Sequence, residues 1–376
     1  MAIRLLHAAD LHLGAPLRNF GELSGERRRD FLKTFDKIVN QAIKREVDCL
    51  VIAGDLFDSN QVDSEVIGRV QDAFSRLDKR GIAVVLIPGT HDHVASADSI
   101  FVRYTFPEAH LLMEPEARSP LTLTLKGQPV HFYGFAFRSG HGGDPLASMK
   151  RRDGEGVHVG LLHGSLKGSP EWDMRRKDLP FSIADLAGLG LDYIALGHYH
   201  DFAQIEAEGR VLACYPGTPE GKKFGENGPR HVALVEIADG RVTVEKVAVQ
   251  TRSLAELTVD ASLFPEPGAL EGELARLATP DTLARVRLTG TVEEPIDTSL
   301  LAGRLQGRYA WLDLVDLTDL YDSALVQRLA REDSIRGMLV RKANGRLAQC
   351  ENEDERELCR EALKLLMGRF VQGRGA

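Results

Sequence analysis

Cysteine is scarce in this 376-residue chain, and its four copies (Cys49, Cys214, Cys350 and Cys359) form no CxxC pair. That scarcity argues against a disulfide framework or a zinc knuckle and leads to the expectation of a reduced, cytoplasmic setting. Long apolar runs are missing as well, so no membrane span is expected. The opening MAIRLLHAAD does not read as a secretory leader, because Arg4 and His7 interrupt its apolar stretch and Asp10 ends it. A basic excess is also absent: 47 Lys and Arg face 55 Asp and Glu, a formal charge of −8. Bulk attraction to nucleic acid is therefore disfavoured, although a local basic surface or bound divalent cations would reverse the sign where it matters. Hydrophobic residues at 43% and charged residues at 27% are ordinary for a globular protein and exclude disorder and collagen-like structure. The length suits two or more domains with an unstapled core.

The first half alternates short apolar runs with helical periodicity. IRLLHAA (3–9), CLVIA (49–53) and AVVLI (83–87) read as strands, with helices at about 26–46 and 63–80 between them. This alternation predicts a parallel sheet of βαβ units, whose ligands collect beyond the carboxyl ends of the strands. LTLTLKGQPVHFYGFAF (121–137) reads as a hairpin turning at Lys126–Pro129. Strands follow at 157–162, 192–196, 211–215, 231–237 and 241–249, the last two joined by Asp239-Gly240. The sum is a two-sheet α/β arrangement, an αββα sandwich, over residues 1–250. A small α+β region over 251–322 and a helical segment over 323–376 complete the chain. The helical segment reads as two helices, 323–341 and 353–371, split near Asn344-Gly345. The second is amphipathic, with Leu358, Leu365, Leu366 and Phe370 largely on one face.

Five polar clusters end five of the apolar strands: Asp10-Leu11-His12, Gly54-Asp55-Leu56-Phe57-Asp58, Gly89-Thr90-His91-Asp92, His163-Gly164 and Gly197-His198-Tyr199-His200. Residues separated by one position leave a strand on the same side. Carboxylate oxygen with imidazole nitrogen suits Mn²⁺, Fe²⁺, Co²⁺ or Zn²⁺, and the lack of thiolates disfavours structural zinc. One such cluster is ordinary packing or capping. Five at successive strand ends point to a metal centre.

The order of these clusters resembles the signature DxH, GDxxD, GNHD, H and GHxH of the calcineurin-like metallophosphoesterase superfamily. HAADLHLGAP, AGDLFD, LLHGS and ALGHYH look like SbcD-type DNA-repair nuclease subunits. YPGTPEG (215–221) and SPEWDMRRKDLPFSIADL (169–186) look like its YhaO-like branch. The resemblance spans roughly residues 5–225 and implies a metallophosphoesterase core over 1–250, followed by the small α+β part as a capping domain.

It also implies roles. Asp10, His12 and His200 would hold a first metal, Asp55 would bridge, and His163, His198 and Thr90 would hold a second, with Mn²⁺ as the expected ion at both. His91 would act as the acid toward the leaving oxygen, with Asp58 orienting its ring and Asp92 in support. Two close cations can clamp a phosphate and activate a water. A carboxylate at position 55 is needed because its charge serves both cations, and a partner acid keeps a proton on His91. Thr90 departs from the pattern: Asn would offer a carbonyl, Thr only a hydroxyl on a shorter arm.

Other residues take plainer readings. His7 reads as a hydrogen-bonded core residue. His93, His110, His131, His141, His158 and His231 lack a partner at ligand spacing. Arg27-Arg28-Arg29 reads as a solvated helix face. Lys222-Lys223-Phe224 pairs cations with a ring close to the metal motifs and is the candidate DNA contact.

The function implied by the resemblance is metal-dependent DNA phosphodiester cleavage, exonucleolytic or endonucleolytic, beside an SMC-like ATPase that binds the C-terminal helical segment. A homodimer is left open. The five clusters alone equally allow a nucleotide phosphodiesterase or a phosphoprotein phosphatase. Thr90 raises a third reading, a regulatory subunit of weak activity, against which stands the retention of the other ligand-type residues.

Overall fold

In the computed structural model, which describes residues 2–136, 144–169, 179–266, 268–292, 294–319, 323–350 and 352–372, the chain divides into two compact units, Met1–Ser253 and Leu254–Ala376. His141 and much of the 169–186 phrase (170–178) lie outside the described residues.

The first unit runs through β1 (Ile3–Ala8), β2 (Cys49–Ala53), β3 (Ala83–Ile87), β4 (His110–Leu111), β5 (Leu121–Leu125), β6 (Gln128–Gly134) and β7 (Val157–His163). It continues with β8 (Ser165–Leu166), β9 (Pro180–Phe181), β10 (Tyr193–Gly197), β11 (Ala203–Ala207), β12 (Arg210–Tyr215), β13 (His231–Ala238) and β14 (Arg241–Ala248). Helix α1 (Ser24–Lys44) joins β1 to β2, and α2 (Ser64–Asp78) joins β2 to β3. Two six-stranded sheets result, in the orders β14-β13-β1-β2-β3-β4 and β11-β12-β10-β7-β6-β5. β1 to β4 are parallel in the first, as are β6, β7, β10 and β12 in the second.

The mixed α/β architecture follows from where the apolar residues go. Leu5, Val51 and Val85 of the first sheet and Phe132, Leu161 and Ala195 of the second share one buried cluster. Strands covered on both faces need continuous apolar runs, which is why CLVIA and AVVLI carry no alternation. The far face of the second sheet packs Leu162, Ile194 and Leu196 against Leu186 and Leu189. α1 buries Phe31, Phe35, Ile38, Val39 and Ala42, a stripe at helical spacing, and its Phe35 meets Phe74 of α2 at 6.5 Å between ring centroids. Three hairpins turn on Lys126-Gly127 (φ 48° and 75°), Glu208-Gly209 (φ 52° and 74°) and Asp239-Gly240 (φ 49° and 73°). Left-handed pairs of this kind match the strand twist. The first turn is tighter than expected, with Pro129 already in β6.

The second unit holds a three-stranded sheet of β15 (Ser253–Asp260), β16 (Thr282–Thr289) and β17 (Trp311–Asp316), with helices at Ala269–Leu277 and Thr298–Arg304. Val259, Leu274, Val286 and Leu288 form its core. Three helices follow, Ser323–Arg331, Ile335–Leu347 and Glu353–Gln372, around Leu329, Val340, Leu363 and Met367. Two expectations are corrected here. Asn344-Gly345 lies in the last turns of the middle helix, which ends at Leu347, and a further break precedes it, where the Ser334 side chain caps the middle helix by accepting from the Gly337 N–H. In the last helix Leu366 and Phe370 do face the cluster, but Leu358 and Leu365 are exposed. Cys350 and Cys359, free thiols, approach to 3.5 Å. No helix among the described residues is long and apolar enough to cross a membrane.

Candidate metal centre and active site

All five polar clusters sit at the carboxyl ends of parallel strands: after β1, β2 and β3 in one sheet, and at the ends of β7 and β10 in the other. The backbone bends sharply there. Asp10, His12, Asp55 and His198 are four of the nine non-glycine residues with positive φ among the described residues. Such conformations are costly and persist where the surroundings enforce them, most often at functional sites. Cross-loop bonds enforce them here: the His12 N–H donates to the Asp55 carbonyl (3.0 Å), and the His198 N–H to the Asp10 carboxylate (2.9 Å).

Asp10, His12 and His200 offer ligand atoms close enough to share one cation, as do Asp10, Asp55 and His163. Each imidazole of the first group is backed by an acid. His12 Nδ1 is 3.2 Å from Asp58 Oδ1, and His200 Nδ1 is 2.8 Å from Glu226 Oε1. Burial lowers the pKa of His12, against the raising influence of the Asp58, Asp55 and Asp10 carboxylates. Burial would also lower His200, but Glu226 overrides it and raises its pKa. Glu226, buried though it is, is held below the usual carboxylate range by His200.

Asp55 lies between the groups. Its Oδ2 is 3.9 Å from His12 Nε2 and 3.4 Å from His163 Nε2, while its Oδ1 accepts from the His91 N–H at 2.8 Å. Burial opposes its ionisation, but the surrounding imidazoles of His163, His12 and His91 pull its pKa down. His163 is likewise buried, yet Asp55 pushes it up to about 10. Its Nδ1 donates to the Ala53 carbonyl (2.9 Å), which leaves Nε2 facing Asp55. The Thr90 hydroxyl reaches Asp55 Oδ2 at 3.5 Å.

Whether these residues suit divalent cations is tested by the buried polar atoms. His12 Nε2 and His163 Nε2 are both buried without a well-formed hydrogen bond, one on each side of the Asp55 oxygen. Burying such nitrogens without a hydrogen bond is expensive, and a Lewis acid that displaces any proton they carry would satisfy them. Space is also reserved: a Cβ at Gly89 would collide with Asp55 Oδ1, and one at Gly54 (φ 90°) with the His163 ring. The donor set fits.

The cluster forms the floor of an open cleft of about 1020 Å³. His91 stands at its side, with its ring 43% exposed. The His91 Nδ1 is held by the main-chain carbonyl of Asp58 at 2.8 Å; the Asp58 carboxylate is farther, at 3.8 Å. That carboxylate serves His12 and Lys222 instead, and despite burial they lower its pKa. Asp92 straps two loops together, accepting from Gly89 N–H (2.7 Å) and Phe57 N–H (3.0 Å). Burial and the nearby Asp55 charge push it up to about 7.

Residues 3–202 match the family described as calcineurin-like phosphoesterase. The chain belongs to that family. Its members are metal-dependent hydrolases of phosphoesters, and this phosphoesterase is accordingly a divalent-metal enzyme. It is similar to the uncharacterized metallophosphoesterase YhaO of Bacillus subtilis, 28% identical over 65% of this chain and 59% of that protein. It is also similar to the DNA double-strand break repair protein Mre11 of Methanosarcina mazei, 26% identical over 68% of this chain and 40% of that one. Mre11 of Methanopyrus kandleri is 27% identical over 74% and 65% respectively. The phosphoesterase thus spans less than two thirds of the length of each of these relatives.

Several residues of the phosphoesterase site were not singled out from sequence. Glu226 is distant from every motif, and the signal for it was a lone acid in the polar loop after YPGTPEG. That loop itself has a structural purpose. The Thr218 hydroxyl donates to the Asp10 carbonyl (2.9 Å), and buried Glu220 takes Arg27 Nη1 at 2.7 Å and the Thr34 hydroxyl at 2.7 Å. Arg27 is therefore a buried ion-pair residue, whereas Arg28 and Arg29 are exposed as expected. Of the basic candidates, Lys222 and Lys223 line the cleft, while the Phe224 ring packs on Phe20 at 5.5 Å between centroids. His7 is a core residue, bonded to the Tyr193 hydroxyl (2.8 Å) and the Leu196 carbonyl (3.1 Å). His131 and His158 likewise satisfy local partners.

Proposed function

We propose that this phosphoesterase cleaves DNA phosphodiester bonds in double-strand-break repair, with two cations, Mn²⁺ in the first instance. Asp10, His12 and His200 would hold one, and His163 and His198 would hold the other, with Asp55 serving both and Thr90 beside the second. The observation that carries the two-cation reading is the Asp55 Oδ2 atom set between two buried imidazole nitrogens that make no well-formed hydrogen bond. DNA as substrate is favoured by the open cleft with Arg18, Lys222 and Lys223 on its wall and by the similarity to Mre11 proteins.

When bound, the cations supply Lewis acidity toward the phosphate and a nucleophilic water at neutral pH. The protein supplies the rest. Asp55 and Asp10 fix the charge that attracts cations to the floor. His91, with Nδ1–H anchored on the Asp58 carbonyl, presents Nε2 to the cleft and hands its proton to the leaving oxygen. Asp92 keeps the His91 loop in place by its two main-chain bonds. Lys223 and Arg18 meet neighbouring phosphates, and Phe224 supports that wall by packing.

The second unit would comprise the capping domain over 251–322 and the helical segment over 323–376. Exposed Leu358 and Leu365 on the last helix are the surface we assign to an SMC-like ATPase. The deciding experiment compares a duplex oligonucleotide, a cyclic nucleotide and a phosphopeptide as substrates of the full chain with Mn²⁺. Preferred cleavage of the duplex, abolished by chelation, is expected. Preference for the cyclic nucleotide or the phosphopeptide would replace DNA by that substrate.

A further inference from the structure

Lys222 occupies a position that simple attraction to DNA does not explain. Its backbone is pinned on both sides: the N–H donates to Glu226 Oε2 (2.6 Å), and the carbonyl accepts from Asn19 Nδ2 (3.1 Å). Its side chain turns inward, only 23% exposed, and places Nζ 2.5 Å from Asp58 Oδ1 and 3.2 Å from His12 Nδ1. The residue therefore touches both acids that back the imidazoles of the first group, Glu226 through its main chain and Asp58 through its ammonium. No long surface lysine needs such fixing to attract a polyanion.

The donor count shows what remains. An ammonium carries three N–H groups and accepts nothing. Asp58 Oδ1 at 2.5 Å and His12 Nδ1 at 3.2 Å engage at most two of them. At least one N–H is left on a residue that lines the cleft shared with Asp55, His91, His198 and His200. A fixed positive charge, desolvated on one side and beside the proton donor His91, matches an anionic oxygen better than a second carboxylate, since Asp58 is already committed. Holding the side chain against Asp58 and His12 also removes much of the rotamer entropy that a lysine normally loses on binding.

We infer that Lys222 binds a non-bridging oxygen of the phosphoryl group undergoing hydrolysis, and so acts as a substrate-binding residue on the floor of the site. This rests on the phosphoester-hydrolase reading of the cleft and is independent of whether the ester is DNA. A charge-assisted hydrogen bond of this kind corresponds to roughly 10- to 100-fold in affinity.

The test uses the full chain loaded with Mn²⁺, with inorganic phosphate as the probe and calorimetry as the readout, beside Mn²⁺ titrations of the same proteins. Lys222→Gln is expected to lose about 10- to 100-fold in phosphate affinity with Mn²⁺ affinity unchanged or raised, and Lys222→Arg is expected to keep most of the phosphate affinity. Unchanged phosphate affinity in Lys222→Gln would overturn the inference. So would loss of Mn²⁺ binding in Lys222→Gln restored by Lys222→Arg, which would make the residue a strut for Asp58 and Glu226. Because phosphate has neither base nor sugar, failure to cut DNA with phosphate binding intact would count against the nuclease reading and leave Lys222 assigned.

Discussion

The two halves of the candidate metal centre are built differently. On one side His12 and His200 each lean on a carboxylate, Asp58 and Glu226, and Asp10 adds a third negative group. On the other side His163 leans on a main-chain carbonyl, and the position that the family motif gives to Asn is Thr90. A carboxylate behind an imidazole raises its basicity and fixes its orientation, an effect worth 10- to 100-fold in metal affinity. A neutral alcohol is a poor donor beside an amide oxygen. The comparison teaches that a site assembled from matching motifs need not be symmetric: outer partners, together with the ligand positions themselves, set the difference between its halves.

The largest disruption should come from the residue that both halves share. Asp55→Asn removes the bridging charge and is expected to abolish hydrolysis and to weaken Mn²⁺ binding at both positions. A variant that binds two Mn²⁺ normally and still hydrolyses phosphoesters would break the comparison at its root. Next is a residue outside both halves. His91→Ala should slow hydrolysis by about 10²- to 10⁴-fold while leaving Mn²⁺ binding intact, the range for general acid catalysis. Loss of metal along with turnover would move His91 from proton donor to ligand.

Two further variants sharpen the contrast. Glu226→Gln should weaken the tighter site by about 10- to 100-fold and leave the other alone, which calorimetry resolves as the approach of two affinities. Both halves should depend on pH, since His200 also has a raised pKa, but the larger shift is at His163. His163 carries a proton in the metal-free protein because Asp55 holds its pKa near 10, and cation binding must expel that proton. Affinity at the weaker site should therefore rise with pH, by about tenfold per unit between roughly pH 6 and 8 for one proton released. A flat profile would mean that His163 is already neutral when the cation arrives.

Much of this centre is legible in the sequence because its ligands sit directly at strand ends. Apolar runs such as CLVIA predict strands, parallel strands open at their carboxyl ends, and a DxH or GHxH there has few other purposes. What cannot be read is whatever depends on the path of a loop. Glu226 reaches His200 from 26 residues away, and the purpose of Glu220 appears only when α1 is folded against the 215–221 loop. Asp58 shows the same limit at short range. The motif places it near His91, but only the backbone turn decides that its carbonyl holds the His91 ring while its carboxylate serves His12 and Lys222. In the C-terminal helices a capping serine outweighed an Asn-Gly pair, since propensity is a weak prior once neighbouring helices pack.

The smallest expected effect tests the central claim most directly. Calorimetric titration of the metal-free chain with Mn²⁺ should show two binding events, the tighter assigned to the carboxylate-backed half. In Thr90→Asn the weaker event should move toward the tighter one, because an amide oxygen reaches farther and donates better than the hydroxyl. Two equal affinities in the native chain, or a weaker second event in Thr90→Asn, would contradict the account.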